Sequence, residues 1–358
     1  CALRSLAEEA LAQGLDPQRF SYRPLAVGPH FHARLATEAL TRAATLDQAL
    51  TAQRQRLFGQ GVFQGWDQGP MRLFFIRALV AKYLGELCER SFAERRIGLY
   101  RPDKPQLFYF DSFLATDLFA AASPRWRIVD HYEETLNWVG DHAAWCWDFG
   151  EVAHLAASGH THAVTHIATC YHHHEHYQAE IARAFPANID LPSAHWDIPV
   201  RRRGTMKVPL AQLPADAVST AALLYREAAR QVFAEHLAPL VPNRQALQIQ
   251  ADTLAERSLV QAIHYEGLRD ALRGTRPHFV ITDHDTGSNG PLFSVAARLG
   301  APITVLPHSS YATGAIPHSL NVRVIERDGF ATPMRTVWGE KVRTVGTQLG
   351  PVANPRPR

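Results

Sequence analysis

The chain is short of the features that assign a protein quickly. Its four cysteines, Cys1, Cys88, Cys146 and Cys170, are scattered without a Cys-x-x-Cys pair. That spacing supports neither a zinc knuckle nor a disulfide framework, and it fits reduced thiols in a cytoplasmic protein. No apolar run approaches the roughly 18 residues that would cross a bilayer, and no signal-peptide pattern opens the chain. Charge of one sign is scarce as well: 37 Lys and Arg against 34 Asp and Glu leave a formal charge of +3. This is too mild for a nucleic-acid footprint, which needs basic residues clustered on one face. Neither Gly-x-x-x-x-Gly-Lys-Ser/Thr nor Gly-x-Gly-x-x-Gly occurs, which argues against a P-loop nucleotidase or an ordinary dinucleotide dehydrogenase. The Gly-x-Ser-x-Gly elbow of a serine hydrolase is missing too.

What remains is a globular composition, 46% hydrophobic and 20% charged over 358 residues, enough for a packed core and more than one domain. Residues 1–104 read as mostly helical: Ala2 to Leu11, Ala33 to Leu57 and Met71 to Phe92 carry apolar residues at helical spacing between glycines and prolines. From Pro105 the texture changes to short β-like runs: Leu107 to Phe110, Trp126 to Val129, Ala163 to Ile167, Phe279 to Thr282, Ile303 to Leu306 and Arg335 to Trp338. Helical segments such as Thr220 to Ala238 and Leu254 to Arg273 alternate with them. Alternation of this kind predicts an α/β domain over 105–335 with a parallel sheet flanked by helices. The proline-rich stretch 187–215, with Arg201-Arg202-Arg203, reads as a long loop or insertion. The arginine triplet is a solvated loop or a contact for phosphate or a membrane surface. The chain opens on Cys rather than Met, so its start is expected to be clipped.

The densest chemistry lies between His278 and Gly314. An apolar run to Thr282 breaks into Asp283-His284-Asp285-Thr286-Gly287-Ser288-Asn289-Gly290. A helix then opens with Pro291 and stops at Gly300, the usual places for those residues. A second apolar run ends in Pro307-His308-Ser309-Ser310-Tyr311. If both runs are parallel neighbours, the two loops share the carboxyl edge of the sheet, where open α/β sheets bind ligands. Carboxylates flanking His284 would raise its pKa, and a carboxylate there can act as base or nucleophile. Gly287 to Gly290 lead into a helix amino terminus, whose free N–H groups favour anions. The plainer reading is a turn in which Asp283 satisfies amides and Asn289 caps the helix. Asp111, which follows Leu107 to Phe110, and Asp130, which follows the Trp126 to Val129 run, join the same rim if those runs enter the sheet; otherwise they simply cap helices.

Seven histidines, His160, His162, His166, His172, His173, His174 and His176, crowd into one short stretch. On a helix His172 and His176 would share a face, a ligand-like pair. Gly159-His160-Thr161-His162 matches the last ligand motif of metallophosphoesterases, but their Gly-Asn-His element is absent and Gly140-Asp141-His142 is only a partial match. The arrangement of zincins is not present either, so a histidine-lined acceptor pocket or an exposed polar helix is the preferred reading, with no metal.

Together, Asp283 to Asp285, Leu299-Gly300-Ala301-Pro302, Leu306-Pro307-His308-Ser309-Ser310, Val337-Trp338-Gly339-Glu340 and Ala353-Asn354-Pro355-Arg356 resemble, in order and spacing, the GT-B glycosyltransferases of bacterial surface-polysaccharide biosynthesis. The resemblance covers residues 278–356. It departs from the family pattern at Ser309, where glycine is usual, and in the short spacer after Gly339, where no strand is evident. The resemblance implies a Rossmann-like acceptor-side half, with residues 336–358 as interdomain linker and a second domain missing. It further implies transfer of a sugar from a nucleotide-activated donor, a CMP-linked acidic sugar among the candidates, to a glycan acceptor. Asp283, His284 and Asp285 would then supply the base or nucleophile, with His308 beside them. Asp111, Gly287, Ser288, Asn289, Gly290, Ser309, Ser310 and Tyr311 would contact donor phosphate or acceptor hydroxyls. No cofactor is implied, and a cytoplasmic location, with peripheral association at the inner face of the membrane, would follow. Two other readings stay open: a metal-dependent hydrolase using the His160–His176 cluster with Asp141 or Asp283, and a non-catalytic module that binds glycan or a partner protein.

Overall fold

The structure, a computed structural model, describes residues 12, 14, 30–91, 98–99, 118–121, 123, 127–128, 143–147, 149–159, 163–166, 181–191, 205–209, 218–282, 290–305, 322–326 and 342–344. The chain divides into two compact units, Cys1–Arg34 and Leu35–Arg358; the contacts described below lie within the second. In chain order they are α1 (Phe31–Phe58), α2 (Gln68–Ser91), β1 (Gly98–Leu99), β2 (Arg127–Ile128), β3 (Ala143–Trp147), α3 (Gly150–Ala157), β4 (Val164–His166) and β5 (Ile189–Asp190). They continue with β6 (Thr205–Pro209), α4 (Thr220–Leu237), α5 (Arg244–Ala271), β7 (Val280–Thr282), α6 (Gly290–Leu299), β8 (Ile303–Val305), β9 (Val322–Glu326) and β10 (Val342–Thr344).

The helices begin and end where local chemistry directs. Ser219 caps α4, its hydroxyl accepting from the Ala222 N–H at 3.0 Å while donating to Glu266 Oε2 at 2.6 Å. Asn243 caps α5 by accepting from the N–H groups of Gln245 and Ala246. This starts α5 at Arg244, ten residues before the segment expected from apolar periodicity, because the polar first turns of α5 are set by the cap and not by a hydrophobic stripe. At the other end of α6, Gly300 takes φ +68°. Its N–H donates to Ala297 O and the Ala301 N–H to Ala296 O, the paired bonds of a left-handed helix stop.

Six strands form one sheet in the order β5, β4, β7, β8, β9, β10, with every neighbouring pair parallel. With helices packed against this sheet the arrangement is α/β. All three residues of β7 are buried, as a parallel strand covered on both faces requires. Val280 joins the large core with Val164, Ile303, Val305, Leu292 and Phe293, while Ile281 turns to the opposite face against Ile181, Phe185 and Phe279.

Several expectations change. Arg127–Ile128 pairs with Gly98–Leu99 in a separate two-stranded sheet instead of entering the six-stranded one, so a rim position for Asp130 does not follow from β2. The spacer after Gly339, which showed no strand signal, contains β10 at the edge of the sheet; Val342–Thr344 is interrupted by Arg343, so it lacks an apolar run and is held by its ladder with β9. The stretch 187–215 contains β5, the edge strand of the main sheet beside β4, and β6, which pairs antiparallel with β3. Leu107 to Phe110, Arg335 to Trp338 and Ala2 to Leu11 lie outside the described residues.

The helices before residue 100 share the core of the sheet. Phe63 and Trp66, in the turn between α1 and α2, are fully buried in the same cluster as Val280, Leu292 and Phe293.

Candidate functional site

Strand order shows where along the sheet the direction of chain addition reverses. From β4 the chain adds β5 on one flank, whereas from β7 it adds β8, β9 and β10 in succession on the other. The order therefore reverses between β4 and β7, and such a reversal separates the connections at the carboxyl ends and opens a crevice there. The sequence placed the shared crevice between the runs beginning at Phe279 and Ile303. Those runs are indeed adjacent and parallel, with Thr282 opposite Val305, but the switch point lies one strand over, where His166 stands opposite Thr282.

Asp283 is the next residue after Thr282, and His308 comes three residues after Val305, so the two segments leave neighbouring strands. Asp283, His284, Asp285, Gly287, Ser288, Asn289, His308, Ser309, Ser310, Tyr311 and Asp111 all lie outside the described residues. Gly290 is described. It is buried at the start of α6, and a Cβ added there would come within 2.7 Å of both Trp66 Cα and Trp66 Cδ1. The close approach of the Trp66 backbone accounts for glycine at this position without any ligand.

Above Gly290 sits a polar network that sequence reasoning missed. Arg54 is fully buried on α1. Its Nε donates to the Tyr225 hydroxyl at 2.7 Å, and Nη1 donates to Phe63 O at 2.8 Å and Asp47 Oδ1 at 3.3 Å. Nη2 is paired with Asp67 Oδ2, and Arg257 Nη1 bonds the other oxygen of that carboxylate at 3.1 Å. Asp47 in turn accepts from the N–H groups of Gly65 (2.7 Å) and Asp67 (3.1 Å). Two carboxylates are thus matched by two guanidinium groups. Burial alone would lower the Arg54 pKa, but Tyr225, Asp67 and Asp47 outweigh it and hold the guanidinium charged. Burial pushes the Asp47 carboxyl above its ordinary value against the pull of Arg54, and burial likewise raises the Tyr225 phenol.

This network seats Trp66. Arg54 lies over the indole with its Cζ 4.6 Å from the ring centroid, and Gln261 Nε2 donates to Trp66 O at 3.3 Å. The indole N–H donates to Ser294 Oγ at 2.8 Å, and Ser294 donates to Val62 O at 2.5 Å. Phe63 and Tyr265 enclose the ring, with centroids 5.9 and 5.6 Å away. One signal in the sequence could have revealed the cluster: Asp47 and Arg54 stand seven residues apart on the helix face that carries Leu46 and Leu50, a face where unpaired charges do not belong.

Among the described residues no group of three or more His, Cys, Asp and Glu side chains is placed to hold a metal. Six of the seven clustered histidines lie outside those residues, and for His166 only the backbone is described. No described helix is long and apolar enough to cross a membrane. Compared with protein-family models, curated proteins and solved structures, the chain matches none.

Proposed function

We propose that this chain is a glycosyltransferase of the GT-B type, moving a sugar from a nucleotide-activated donor to a glycan. The observation that carries the reading is the unit β7–α6–β8 inside a wholly parallel sheet. It sets the segments bearing Asp283 to Asp285 and His308 on neighbouring strand ends next to the switch point. In this reading a carboxylate or imidazole among Asp283, His284 and Asp285 takes the acceptor proton or attacks the anomeric carbon. His308 and the Ser309-Ser310-Tyr311 segment bind donor phosphate or acceptor hydroxyls, with Asp111 and Gly287 to Asn289 as further contacts. Fixed dipoles and side chains, instead of a resident metal, neutralise the departing phosphate. The test is nucleotide release from UDP-, GDP- and CMP-linked sugars by the 358-residue chain, with Asp283→Asn and Asp285→Asn alongside. Loss of about 100-fold or more in turnover in one of the two variants is expected, the scale of a lost proton-transfer group. Unchanged biological function in Asp283→Ala and Asp285→Ala would instead favour a non-catalytic binding module.

A second reading gains from one observation. The pairing of β4 with β7 means that the histidine-bearing segment after His166 and the segment after Thr282 depart from adjacent strands. A metal-dependent hydrolase would use both. Stoichiometric zinc or manganese in purified protein, lost together with activity in His172→Ala and His176→Ala, would select it over the transferase.

A further inference from the structure

We draw no further inference here: the strongest candidate, the buried side-chain cluster of Asp47, Arg54, Asp67, Tyr225 and Arg257 where α1, the turn after it, α4 and α5 meet, has every carboxylate oxygen already matched by a guanidinium or a backbone N–H, so it offers a ligand no open acceptor and belongs to the core packing described above.

Discussion

Arg54 shows how far a single residue can be committed. Its guanidinium is fully buried and shared among Tyr225, Asp47, Asp67 and the Phe63 carbonyl. Arg54→Met keeps much of the volume but leaves two buried carboxylates with Arg257 as the remaining close cation. Breaking such a pair from one side destabilises by about 3–5 kcal/mol, to be read as a lower urea midpoint at constant slope. Asp47 supplies a pH test. Its folded-state pKa is raised above the ordinary 3.8, chiefly by burial. The folded protein therefore binds the proton more tightly than the unfolded chain. Its stabilising contribution is fully present below pH 3.8 and is lost as pH rises through the folded-state value. The stability difference between wild type and Asp47→Asn should thus shift against the wild type as pH climbs from about 4 towards neutrality. A difference that does not vary with pH across that window would count against this assignment.

At the scale of elements, α6 concentrates the constraints. It starts on a glycine pressed against a tryptophan backbone and stops on a glycine at φ +68°. Between these, Leu292, Phe293, Val295 and Ala296 are buried in the core of the sheet. Gly290→Ala drives a Cβ to 2.7 Å from backbone and ring atoms of Trp66, and overpacking of this kind costs about 1–3 kcal/mol. Calorimetry should show a lowered melting temperature, and Gly300→Ala, with open space around its Cβ, a smaller loss of roughly 1 kcal/mol from backbone strain alone. The stop of α6, the strands on either side of it and the parallel relation of those strands were legible in the sequence, because glycine at a helix end and short buried apolar runs are local signals. β5, β9 and β10 were not: Asp190, Arg323 and Glu326, and Arg343 interrupt them, so they lack the continuous apolar run that marks β7 and β8 and are defined by the ladder they join.

For the whole molecule the main consequence is that the leading helices and the sheet form one folding unit. Phe63 and Trp66 complete the cluster built by Val164, Val280, Phe293 and Ile303, and Arg54 on α1 bonds Tyr225 on α4 while Asp67 bonds Arg257 on α5. A chain shortened to residues 105–358 should therefore lose its cooperative thermal transition and expose apolar surface to a hydrophobic dye. A sharp transition close to that of the intact chain would show that the two parts fold independently.

By itself the sequence determined the course of α4 from Thr220 and the stop of α6 at Gly300, signals that act over three or four residues, but not the start of α5, which the Asn243 cap sets ten residues ahead of the apolar pattern. It also determined the parallel character of the strand, helix, strand unit between Phe279 and Leu306, since a run buried on both faces leaves no polar alternation. Only the tertiary structure decided that β7 lies against β4, bringing His166 opposite Thr282, and that Trp66 closes on Gly290. Those choices depend on which buried surfaces and buried charges find partners more than a hundred residues away. A local pattern records that a residue will be buried; it does not record against what.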